Sequence, residues 1–199
     1  MNDFIIEKEI AKSLGIKLSR LLAVAAVEST GDYELDGGKI VCLLERHKVY
    51  LWIKKNHGEI KAASYASRHP DVINPKAGGY GKYSEQYARV AKVVALGFKE
   101  AAHWGASWGA FQLMGFHFEM LGFNSAVEMV EYLHDGNKKE KQLRLLSVFL
   151  KKYDAGGALD SLRRDDFSRF AEIYNGSDYR KNEYDTKLKE FSERFEKLD

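Results

Sequence analysis

A chain of 199 residues with 45% hydrophobic and 30% charged residues can bury one substantial core and is too evenly mixed for a disordered or fibrous protein. Its 31 Lys and Arg against 29 Asp and Glu leave a formal net charge of +2, a field too weak to specify nucleic acid. The single cysteine, Cys42, excludes an internal disulfide, and the longest apolar run, "LLAVAAV", falls far short of the roughly 20 residues that span a bilayer.

The N-terminal "MNDFIIEKEI" carries acids and no apolar stretch of signal-peptide length, so no export signal is expected there. Ile6, Ile10 and Leu14 recur at helical spacing and Gly15 is a plausible stop; a second helix is expected from about Leu18 to Ser29, ended by Gly31. "DGGK" reads as a tight turn, and "IVCLL" as a short buried strand in which Cys42 is a small hydrophobe. Pro70, Pro75 and the glycines of "NPKAGGYG" mark the main loop. Periodicity then predicts helices over about Tyr83–Ala102, Ala110–Leu121, Ser125–Leu133, Lys138–Tyr153, Gly157–Arg163, Phe167–Tyr174 and Asp185–Leu198. The expected fold is mostly α, with many short helices and one minor strand, arranged as a single domain over residues 1–199.

Three stretches could carry chemistry. In "AVAAVESTGDY" the neighbours of Glu28 one turn back are Val24 and Ala25, with Leu21 beyond them, so its stem lies on an apolar stripe. Desolvation there would hold its proton near neutral pH, as a general acid for an ether-like leaving group requires; the plainer alternative is a helix end meeting water. In "GASWGAFQLMG" glycines stand among Ser107, Trp108, Phe111, Gln112 and Met114, a setting for close backbone approach and for an amide that bonds sugar hydroxyls or acetamido groups. "IYNGSDY" ends a helix in a Tyr174-Asn175-Gly turn, which alone means only a C-cap.

Taken in order, the "ES" glutamate, "WGAFQLMG" and "YNG" resemble the signature of the lysozyme superfamily as seen in goose-type lysozymes and soluble lytic transglycosylases. Five stretches, "LLAVAAVESTG", "LLERHKVY", "GGYGKYSEQYARVAKVVAL", "GASWGAFQLMGFHFEMLGF" and "YNGSDYRKNEYDTKL", together look like the N-acetylmuramidase domain of endolysins from phages that infect Gram-negative bacteria. This likeness runs over about residues 15–190.

The resemblance implies a lysozyme-like fold and a peptidoglycan hydrolase that cuts the β-1,4 bond between N-acetylmuramic acid and N-acetylglucosamine, with Glu28 as acid. Among Asp32, Glu34, Asp36 and Glu45, the second carboxylate is expected at Glu45, whose place at the end of an apolar run mirrors that of Glu28. An ion pair with Arg46 or His47 would explain Glu45 equally well. Tyr80, Trp108 and Phe111 are expected to offer flat faces to sugar rings, and Ser107, Gln112, Met114, Tyr174 and Asn175 to complete the substrate contacts. No cofactor, no metal, no nucleic-acid partner and no stable membrane insertion are expected. The partner is the peptidoglycan glycan strand, approached without a separate wall-binding module. Synthesis in the host bacterial cytoplasm and action in the periplasm would require a holin or another means of permeabilising the inner membrane. A lytic transglycosylase leaving 1,6-anhydro ends and a non-catalytic wall-binding phage module are the rival readings.

Overall fold

Twelve α-helices and three short strands form among the residues that the computed structural model describes, 4–29, 33–153 and 157–199. In chain order they begin α1 (Ile5–Leu14), α2 (Leu18–Ser29), β1 (Cys42–Leu44), α3 (Arg46–His57), α4 (Glu59–Arg68), α5 (Gln86–Ala95) and α6 (Lys99–Trp104). They continue β2 (Ala106–Trp108), β3 (Leu113–Met114), α7 (Phe118–Leu121), α8 (Ala126–His134), α9 (Lys138–Lys152), α10 (Gly157–Arg163), α11 (Phe167–Asn175) and α12 (Tyr184–Phe195). This is the mostly helical, lysozyme-like architecture that the motif order implies. No helix among the described residues is long and apolar enough to cross a membrane. The chain divides into two compact units, one of residues 1–33 with 139–199 and the other of residues 34–138.

In the first unit, α1 ends where expected, at Gly15 with φ of 65°, a left-handed conformation that glycine adopts without strain. α2 is buried from Leu18 through Ala25 with α12 packed along it, so the two polar residues of that stretch must find partners inside the protein. The Ser19 hydroxyl and amide both donate to the Asp199 carboxylate at 2.7 Å. Arg20 grips Asp165 with two nitrogens, at 2.5 and 2.9 Å, and donates also to Ser192 and Glu196. These bonds fasten the start of α2 to the C-terminal segment.

The second unit is organised on an antiparallel sheet in the order β1-β2-β3. Its register sets Leu43 opposite Ser107 and Ser107 opposite Met114, while Cys42, Trp108 and Leu113 form the neighbouring row. Side chains alternate across a strand, so these rows lie on opposite faces of the sheet.

Three local expectations give way. The helix expected over Tyr83–Ala102 is broken between α5 and α6 at Gly97, whose φ is 88°. The helix expected over Ala110–Leu121 is instead a hairpin turn, β3, a 3₁₀ turn and the single turn of α7. Gly109 and Gln112 take φ of 76° and 47°, which no α-helix accommodates. α3 and α4, between the expected strand and the main loop, were not anticipated: only Val49, Tyr50, Ile53 and Ala62 of the pair are buried, so their apolar stripe is thin. Gly31 lies outside the described residues.

Gly115 marks the tightest approach in this unit. A Cβ at that position would stand 1.9 Å from the His103 carbonyl oxygen, and backbone cannot swing aside as a side chain can. Gly115→Ala is therefore expected to cost about 3 kcal/mol or more in urea unfolding, the upper range for overpacking. Gly97→Ala, which meets nothing within 4 Å but keeps a positive φ, should cost only about 1 kcal/mol.

Candidate active site

Glu28 stands in the last turn of α2, three residues beyond the fully buried stretch that ends at Ala25, and is itself half-buried. Desolvation raises its carboxyl from the ordinary 4.5 to about 7; an interaction with the Asn175 side chain opposes the rise and is too small to cancel it. No basic residue occupies the last turn of α2, and the negative end of the helix dipole further disfavours a second charge there. The Asn175 Nδ2 atom is buried without a partner at full hydrogen-bonding geometry, so the amide reaches the carboxyl by a long or bent contact rather than a complete bond.

α11 delivers both residues of the Tyr-Asn pair to Glu28. Phe170 is fully buried, and Tyr174, one turn later, stacks on it at 5.3 Å with 19° between the rings, while Phe149 of α9 meets Tyr174 edge-on at 5.8 Å. Burial lifts the Tyr174 phenol well above its ordinary range, and the nearby Glu28 charge adds to the rise. In the first unit, then, a carboxyl raised to about 7 has the Asn175 amide beside it and the Tyr174 phenol within electrostatic reach.

The second unit assembles the other candidates. Glu45 follows β1 directly, its amide donating to the Gly105 carbonyl at 3.0 Å, and it forms the N-cap position of α3 without capping it by its side chain. The carboxylate turns to His47, with Oε2 3.3 Å from Nε2. Burial is the largest influence on His47 and lowers its pKa, and the Glu45 charge opposes that fall. Of the other carboxylates considered, Glu34 pairs with Lys138 at 2.6 Å, Asp36 is exposed in the 35–39 turn, and Asp32 lies outside the described residues.

At the β2–β3 turn the Ser107 hydroxyl donates to Gln112 Oε1 at 2.8 Å, and Gln112 Nε2 donates to the Gly109 carbonyl at 2.8 Å. Gln112 is a non-glycine residue held in the left-handed region, a strain of roughly 1–3 kcal/mol that its bonds to both ends of the turn sustain. Met114 shares the sheet face of Ser107. The open aromatic faces expected at Trp108 and Phe111 are not present: the two are 2% and 3% exposed, and the Trp108 indole stacks on His103 and donates Nε1 to the His103 carbonyl. Tyr80, 39% exposed in the glycine loop, is the one of the three with ring surface open to solvent.

Gln86 is a site-shaping residue the motifs did not flag. Although 1% exposed, it accepts from the Leu44 amide through Oε1 and donates through Nε2 to the Tyr80 and Lys82 carbonyls. It ties the strand that leads into Glu45 to the loop that carries Tyr80. A signal existed in the helix period, since Gln86 shares the apolar stripe of Val90 and Val93.

The raised Glu28 value has a consequence for stability. Because the folded protein keeps a proton that the unfolded chain releases above about 4.5, ionisation weakens folding progressively between pH 4.5 and about 7 and by a constant amount above. Glu28→Gln is therefore expected to stabilise the protein at pH 8 by up to about 3 kcal/mol and to leave it nearly unchanged at pH 4, read as unfolding free energies at the two pH values.

The profile of the N-acetylmuramidase family matches residues 17–196 of the chain. A crystal structure of the Burkholderia AP3 phage endolysin superposes with a TM-score of 0.87 at 31% sequence identity, covering 99% of this chain and 72% of that one. No curated protein is significantly similar in sequence. With the family profile matched over nearly its whole length, the chain belongs to the N-acetylmuramidase family and is a lysozyme-type peptidoglycan hydrolase.

Proposed function

We propose that Glu28 is the general acid that protonates the glycosidic oxygen between N-acetylmuramic acid and N-acetylglucosamine. The observation that carries this reading is a desolvated carboxyl with a pKa of about 7, which is still substantially protonated where a free glutamate would be ionised. As the C–O bond breaks, the proton moves to the leaving sugar's oxygen, and positive charge develops on the muramoyl ring. The resulting Glu28 carboxylate then takes a proton from the attacking water, restoring the acid and leaving a reducing muramic-acid end.

Glu45 is proposed as the second carboxylate, stabilising the positive charge or orienting water, with His47 holding its orientation through the 3.3 Å contact. Gln112, Asn175 and Tyr174 are proposed to supply polar contacts to the sugars and Tyr80 an aromatic face, with Ser107 fixing the Gln112 amide. Acting on the wall from the periplasm after synthesis in the cytoplasm, the protein would reach its substrate once a holin or similar agent opens the inner membrane.

Glu28→Gln is expected to lower lysis of permeabilised Gram-negative cells by about 10²- to 10⁴-fold with the fold intact. Retention of more than about a tenth of the parent rate would remove Glu28 from this role. Mass spectrometry of the digest should find reducing muramic-acid ends; a preponderance of 1,6-anhydro ends would identify a transglycosylase instead. Glu45→Gln should depress turnover strongly while shifting stability by no more than about 1 kcal/mol, whereas a purely structural role predicts a fall in stability without a specific catalytic defect.

A further inference from the structure

Tyr80 stands between glycines. Gly78, Gly79 and Gly81 have φ of 85°, 65° and 70°, and with no Cβ at these positions backbone sterics place little restriction on the path of the chain around the ring. Among the described residues, 78–81 make no backbone–backbone hydrogen bond, and a Cβ at Gly79 or Gly81 would meet the ends of long side chains, Arg46 in the first case and Glu85 and Arg89 in the second. The direction in which the Tyr80 ring is presented has therefore to be fixed from outside the loop.

The group that fixes it is the Gln86 amide. Nε2 gives one hydrogen bond to the Tyr80 carbonyl at 2.6 Å and one to the Lys82 carbonyl at 2.9 Å, while Oε1 accepts from the Leu44 amide at 2.9 Å, so both N–H groups and the carbonyl are in use. β1 is an outer strand among the described residues, and its edge at Leu44 has no neighbouring strand to bond. Gln86 meets that edge, and Tyr87 beside it does the same at Ile40, whose amide and carbonyl both reach the phenolic oxygen, at 3.2 and 2.7 Å. β1 is further held in register by β2, and the Glu45 amide after it by the Gly105 carbonyl. The strand is thus the fixed partner of Gln86, and the loop is what Gln86 places.

Position 86 otherwise belongs to the buried stripe of Val90 and Val93, where an aliphatic side chain would be desolvated at lower cost. An aliphatic residue offers no bond to either side, and a carboxyl group cannot accept from the strand while donating twice to the loop; a primary amide does both. We propose that Gln86 is a positioning residue for substrate binding: its amide carries the fixed position of β1 across to Tyr80 and holds the ring where the glycan strand lies on it. This rests on the proposed function, in which Tyr80 is the aromatic face that takes a sugar. Because β1 and Glu45 have other supports, loss of the Gln86 donors acts on substrate affinity rather than on turnover.

Gln86→Glu separates the two halves of the bridge, since one oxygen can still accept from the Leu44 amide while the other cannot donate to both the Tyr80 and Lys82 carbonyls. On soluble peptidoglycan strands this variant is expected to raise KM about 3- to 10-fold, as Tyr80→Ala should, the scale of one aromatic contact, with kcat within about 2-fold of the parent. The double variant tells whether Gln86 acts through the ring: with Tyr80→Ala already in place, Gln86→Glu should change KM by less than about 2-fold. Multiplied KM effects in the double variant, an unchanged KM in Gln86→Glu, or a loss confined to kcat would each overturn the proposal. Gln86→Met, of similar length and with no donor, is read in the same cycle, with the same expected and overturning results, and decides alone should Gln86→Glu fail to fold. A KM unchanged by Tyr80→Ala would remove the sugar contact proposed for Tyr80 and this role with it, whereas a KM raised by Tyr80→Ala and unchanged by the Gln86 variants would remove the role of Gln86 alone.

Discussion

The burial of α2 on nearly every face is the constraint from which the first unit follows. A helix sheathed in this way loses its access to water, so Ser19 and Arg20 have to be bonded inside the protein, and the C-terminal segment supplies Asp199, Glu196 and Ser192 for that purpose. The same sheath continues to Ala25 and thins at Ala26–Glu28, so the carboxyl emerges at the edge of the apolar region rather than in bulk solvent. The packing that stabilises the helix is thus also what keeps a proton on Glu28.

Polar surroundings set the limit on that effect. A complete hydrogen bond from Asn175 would favour the ionised carboxylate and pull its pKa back down. The amide instead makes an imperfect contact and retains a buried, unmet N–H. For the sugar contact proposed for Asn175, an amide left in this state is available without first surrendering a strong internal bond.

In the second unit, positions are fixed by glycine contacts and buried amides. Gly105 lets α6 and β2 come against Val49 so closely that a Cβ would stand 2.9 Å from its amide nitrogen, and the Gly105 carbonyl receives the Glu45 amide. Gly115 performs the corresponding service against the His103 carbonyl. Gln86 and Gln112 then use both ends of their amides on the backbone and on Ser107, which ties the loop around Tyr80 to β1 and braces the turn after Trp108.

The sequence alone determined where most helices lie, because an apolar face at helical spacing such as Ile6, Ile10 and Leu14, followed by Gly15, is a local property of the chain. It also determined the family, through the order of the "ES", "WGAFQLMG" and "YNG" stretches, and it placed Glu28 on an apolar stripe at a helix end. Tertiary structure decided the rest. The stretch after Gly105 is a hairpin because β1, far earlier in the chain, pairs with it, and periodicity within a short apolar run cannot report a distant partner. Trp108 and Phe111 are buried because other elements cover them, whereas their aromatic character would have suited an open groove equally well. The meeting of Tyr174 and Asn175 with Glu28 joins residues far apart in sequence. A residue's spacing tells which face it occupies, but its desolvation and its missing partners depend on what the folded chain lays over that face.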